Sequence, residues 1–94
     1  MTDAGARADV RRAAIRAIYV AVEAPAWASA NLDGLADVLR DLSWLPAGPV
    51  TLRWLPPPGL PAADRAALAD VLRRTVAETA KTTRPVTVTG LPAG

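Results

Sequence analysis

The chain has 94 residues and a formal net charge of +2, enough for one modest core and too nearly neutral to name a class of partner. It contains no cysteine and no histidine, which removes disulfides, thiolate chemistry, the usual general base and the commonest metal ligand. No apolar run approaches the ~20 residues of a membrane span, and the start Met1-Thr2-Asp3-Ala4-Gly5 lacks the basic flank and apolar stretch of a signal peptide, so a cytoplasmic protein is expected.

Residues 1–8 carry no helix or strand signal. Asp9 can cap a helix that starts at Val10, with Val10, Ala14, Ala17, Ile18, Ala21 and Val22 on one side and Arg11, Arg12 and Arg16 mostly on another. Ile15 to Val20 also reads as a strand by its β-branched residues, but the dense alanine and the apolar pattern continuing to Glu23 favour the helix. Pro25 ends it.

A small-residue loop with an isolated Trp27 leads to Asn31, a good N-cap. Leu32, Leu35, Val38, Leu39 and Leu42 then recur at helical spacing. Asp33, Asp37 and Asp41 fall at i, i+4 and i+8, so their carboxylates form a row with steps of about 6 Å at a rise of 1.5 Å per residue. Like charges at this spacing cost about 0.2–0.5 kcal/mol per pair, and Arg40 can relieve only Asp37 well. The row is either a solvated polar face or an acidic ridge offered to a basic partner.

Residues 43–49 form a loop, and Val50, Leu52 and Trp54 alternate with Thr51 and Arg53 as a strand does. Leu55 to Pro61 is a stiff proline-rich connector. Pro61 suits the first turn of a helix that runs to about Lys81, with Leu68, Val71, Leu72, Val76 and Ala80 inward. Pro85 to Thr89 is the last strand and 90–94 a tail. The predicted fold class is α/β: one domain over 1–94 with loosely ordered ends at 1–8 and 90–94, its helices packed on a small parallel sheet of two or three strands.

Catalysis finds no support in these residues. Ser29 and Ser43 have no histidine to activate them, a straight helical row of aspartates does not surround a metal ion, and no phosphate-cradling glycine loop is present. No enzyme activity, cofactor or metal site is expected. Arg7, Arg11, Arg12 and Arg16 and the Arg73-Arg74 pair lack interleaved aromatics, which argues against direct nucleic-acid binding.

Pro25 and Trp27, then Asn31-Leu32-Asp33, Leu35, Asp37 and Leu39, then Pro49-Val50-Thr51-Leu52-Arg53-Trp54 resemble the barstar family, small intracellular inhibitors of secreted ribonucleases. The resemblance covers roughly Pro25 to Trp54, and the later helix and strand are compatible with it. It implies a barstar-like fold and a protein partner, a small secreted or toxin-like ribonuclease. It also implies that Trp27, Asn31, Asp33, Asp37 and Glu78 press into that enzyme's active site, carboxylates standing in for substrate phosphate. The other reading is a barstar-like interaction or structural module that inhibits no nuclease. Trp27 could alternatively fill the core, Asn31 could act only as a cap, and Glu78 could pair with Arg74 four residues earlier. Family members begin with a strand before their first helix, and none is legible before Asp9. An exposed sheet edge would then invite self-association.

Overall fold

The computed structural model describes residues 3–92, with side chains from Asp9 onward. The element order is α1 (Asp3–Ala21), α2 (Leu32–Asp41), β1 (Val50–Arg53), α3 (Ala62–Thr79) and β2 (Val86–Thr89). β1 and β2 pair in parallel, Val50 with Val86 through Arg53 with Thr89, and α3 is the crossover between them. This is the expected α/β class, with a two-stranded sheet among the described residues. No described helix is long and apolar enough to cross a membrane.

Period-two alternation gives the sheet one apolar and one polar face. Leu52 and Val86 are buried and Val50, Trp54 and Val88 pack against the core, while Thr51, Arg53, Thr87 and Thr89 are exposed on the other side. The helices cover the apolar face. Leu35, Val38, Leu39 and Leu42 from α2 meet Ile15, Tyr19 and Val22 from the α1 region and Leu68, Val71 and Leu72 from α3. α2 closes on Leu42, held at φ 47°, with its N–H donating to the Val38 carbonyl. A leucine in this left-handed region costs about 1–2 kcal/mol, which burial of its side chain offsets.

The first helix differs from the sequence reading in start and in face. It begins at Asp3 rather than Val10, so residues 3–8 are helical backbone where a loose end was expected. Asp9 therefore lies inside the helix, where it pairs with Arg12 at 3.4 Å instead of capping. Residues 1–2 and 93–94 of the expected loose ends lie outside the described residues. Ala17 and Ala21, expected inside, are exposed, and Ile15 and Tyr19 are buried instead. Alanine on nearly every side of a helix gives periodicity little to choose between, and the bulkier side chains set the buried stripe.

On α3, Thr75 and Thr79 are buried where Val76 and Ala80 were expected. Both hydroxyls are satisfied: Thr75 Oγ1 donates to the Val71 carbonyl at 2.9 Å and Thr79 Oγ1 to the Thr75 carbonyl at 2.8 Å. Thr79 Oγ1 also accepts from the Val86 N–H at 2.9 Å, tying the helix end to the start of β2. Arg11 reaches Asp64 at 3.6 Å across the α1–α3 contact.

Candidate functional site

The N-terminus of α2 and the loop before it are locked by small, specific contacts. Asn31 sits in extended conformation, and its Oδ1 accepts from the Gly34 N–H at 2.7 Å, a side-chain cap on the first turn. The Ser29 carbonyl accepts from the Tyr19 hydroxyl at 2.6 Å and from the Asn31 N–H at 2.9 Å. This oxygen lies so close to α2 that a Cβ on Gly34 would collide with it and stand 3.1 Å from the Tyr19 oxygen. A glycine at this position lets the loop lie flat on the helix. Burial, and secondarily the charge of Asp37, raises the Tyr19 pKa above its ordinary value of 10.0.

Trp27 is 63% exposed, so it is not core filler. Its ring stands edge-on against Trp44, with centroids 6.2 Å apart and planes at 87°. Trp44 is half-buried, and its Nε1 donates to the Val22 carbonyl at 2.9 Å. One tryptophan is thus fixed to the α1 exit and braces the other, which is held out toward solvent.

The acidic row follows the helix as its spacing requires, with Asp33, Asp37 and Asp41 all exposed. Arg40 donates to Asp37 at 2.6 Å, the i+3 pairing expected from the sequence. Among the described residues, Asp33, Asp41 and Glu78 form no ion pair. Glu78 is not taken by Arg74, because Arg74 bonds Asp70 at 2.8 Å instead. Both partners of that arginine stand four residues away, and it bonds the N-terminal one, the better orientation for such a pair.

Two shallow depressions gather these side chains. One, of about 290 Å³, is lined by Trp27, Ser29, Asn31, Asp33, Gly34 and Asp37. The other, of about 320 Å³, lies between α2 and α3 and includes Asp33, Ala36, Arg40, Asp70, Arg74 and Glu78. Asp33 belongs to both, so it is the hinge of one continuous surface on which all five candidate residues lie. Asn31 has its oxygen committed to the cap, and its amide nitrogen remains the group it can offer outward.

Tyr19, Gly34 and Trp44 support this surface and were not singled out from sequence. Tyr19 is the chain's only tyrosine, and Trp44 is a tryptophan in the loop between α2 and β1; both are faint signals. Gly34 looked like an ordinary helix glycine, since nothing local says that another backbone lies over it.

The family model described as Barstar (barnase inhibitor) matches residues 3–89. No curated protein and no solved structure matches the chain.

Proposed function

The chain belongs to the barstar family, and on that premise we propose that it inhibits a small secreted or toxin-like ribonuclease by covering the enzyme's active site. Trp27, Asn31, Asp33, Asp37 and Glu78 are the contact residues in this reading. The observation that supports it best is the shared surface around Asp33: an exposed braced indole, a capped helix start and acids from two helices within adjoining depressions. Active sites that cleave RNA gather cations to hold phosphate, and a row of carboxylates at about 6 Å spacing offers such cations substitute anions.

Asp37 reaches a partner at small cost. Its pair with Arg40 has both side chains more than half exposed, at 53% and 64%, and a surface pair of this kind contributes about 0–1 kcal/mol. Exchanging Arg40 for a desolvated cation of the enzyme leaves Arg40 free to water. The net charge of +2 gives little long-range attraction for a basic enzyme, so recognition rests on the local acids. An inhibitor rather than an enzyme, working in the cytoplasm before its target is exported, completes the proposal.

The test uses barnase, the enzyme in the family's description, and ribonucleases captured from the producing organism on the immobilised chain. Asp37→Ala loses the Arg40 pair but also relieves repulsion from Asp33 and Asp41, so the melting temperature should barely move. Binding should weaken by at least about 2 kcal/mol, because the enzyme's cations would be left buried without a partner. A variant that inhibits as well as the parent, or that unfolds, would remove the basis for this function.

A further inference from the structure

Trp44 sits in a tight turn closed by the Leu45 N–H, which donates to the Leu42 carbonyl at 3.0 Å. The segment that enters β2 holds this turn and the loop after it at three points. The Gly48 N–H donates to the Thr83 carbonyl at 2.8 Å and the Val50 N–H to the Pro85 carbonyl at 2.9 Å, backbone bonds that continue the parallel ladder before its first pair. The third point lies outside the ladder. Arg84 Nε donates to the Leu45 carbonyl at 2.9 Å, joining residues 39 positions apart. Among the described residues no other hydrogen bond reaches that carbonyl, and the residue after it, Pro46, has no N–H to anchor. Arg84 is half-buried and forms no ion pair among the described residues; its Nε serves a neutral carbonyl instead.

We propose, resting on the inhibitor reading above, that Arg84 is a positioning residue for the recognition surface. By holding the Leu45 carbonyl it fixes Trp44, and Trp44 fixes the angle at which Trp27 meets the enzyme. Trp44 is restrained twice: its own Nε1 bonds the Val22 carbonyl, and the next residue is held by Arg84. Trp27 is exposed and stands edge-on against Trp44, so the set of one ring governs the set of the other. A side chain ordered before binding loses less freedom when the partner arrives, and the gain appears as affinity. Arg84 acts at two removes and touches no enzyme. Because its acceptor is a neutral carbonyl, the role needs a donor at the Nε position and not a positive charge.

Two substitutions separate the donor from the stem that carries it. Arg84→Gln sets an amide N–H as many bonds from the backbone as Nε, and Arg84→Met sets a methyl there. Two indoles with centroids 6.2 Å apart give an exciton couplet in far-UV circular dichroism, which Trp27→Phe identifies by removing it. The couplet should survive in Arg84→Gln and be largely lost in Arg84→Met, with cooperative melting retained in both. Inhibition of barnase should weaken about three- to tenfold in Arg84→Met and stay at the parental level in Arg84→Gln. In a Trp27→Ala background, Arg84→Met should have no further effect on inhibition, because a positioning role runs through the indole whereas a merely structural role adds to its loss. A parent without the couplet, a couplet unchanged in Arg84→Met, additive losses of inhibition, or a methionine variant that does not fold would overturn the proposal. A parent that inhibits no ribonuclease refutes the function instead, and the couplet still decides whether Arg84 sets the tryptophan pair.

Discussion

Gly34→Ala is the sharpest probe of how the binding surface is held. In most helices replacing glycine with alanine stabilises by up to about 1 kcal/mol. Here the added methyl would occupy the space of the Ser29 carbonyl oxygen, which is backbone and cannot rotate away. That oxygen accepts from both the Tyr19 hydroxyl and the Asn31 N–H, so moving it weakens two hydrogen bonds, each contributing about 0.5–1.5 kcal/mol. Asn31 would be dragged with it, and its cap on Gly34 contributes about 1 kcal/mol more. The losses outweigh the propensity gain by about 2 kcal/mol, or roughly 10 °C in melting temperature for a domain of this size. Urea unfolding followed by tryptophan fluorescence measures this directly, since Trp27 and Trp44 flank the site. The midpoint should fall with an unchanged slope. An unchanged or higher midpoint would mean that the loop is free to lift off α2, and the account of a fixed recognition surface would fail.

Other substitutions test other parts of the structure. Tyr19→Phe should cost about 0.5–1.5 kcal/mol at neutral pH. The raised Tyr19 pKa means that the folded state holds the neutral phenol more tightly than the unfolded chain does, so its stabilisation is complete below pH 10 and lost as pH climbs past the folded value. The parent should therefore lose stability in alkali more steeply than Tyr19→Phe, and parallel pH–stability curves would contradict the assignment. Leu52→Ala should cost about 2–5 kcal/mol in the same unfolding assay, and a loss below about 1 kcal/mol would show that β1 is not part of the core. Thr79→Val strands the buried N–H of Val86 and should cost about 1–3 kcal/mol, whereas Thr75→Val removes a bond only within the helix and should cost less. Equal costs would remove the special role of Thr79.

Local sequence determined the elements and the acidic row. Each of these is set by neighbours within about one turn: Asn31 caps α2, hydrophobic spacing defines its buried stripe, and alternation from Val50 to Trp54 defines β1. The row of Asp33, Asp37 and Asp41 follows from helix geometry alone, as does the pairing of Arg40 with Asp37. α3 and β2 were legible in the same way, with the end of the helix at Thr79 rather than Lys81.

Tertiary structure decided what happens when distant segments meet. Alanine hides the buried face of α1, because a methyl gains too little on burial to enforce a side; Ile15 and Tyr19 win once α2 packs there. Arg74 had acids four residues away in both directions, and only the folded surface shows it with Asp70, leaving Glu78 beside the groove that Asp33 shares. Trp27 has the composition of a core residue but stays outside, since Trp44 occupies the half-buried position against Val22 and leaves Trp27 its edge. Gly34 shows the limit most clearly. The need for glycine is created by the Ser29 carbonyl and Tyr19, on segments whose approach no short-range pattern encodes, so the sequence supplied the residue and the fold alone supplied its reason.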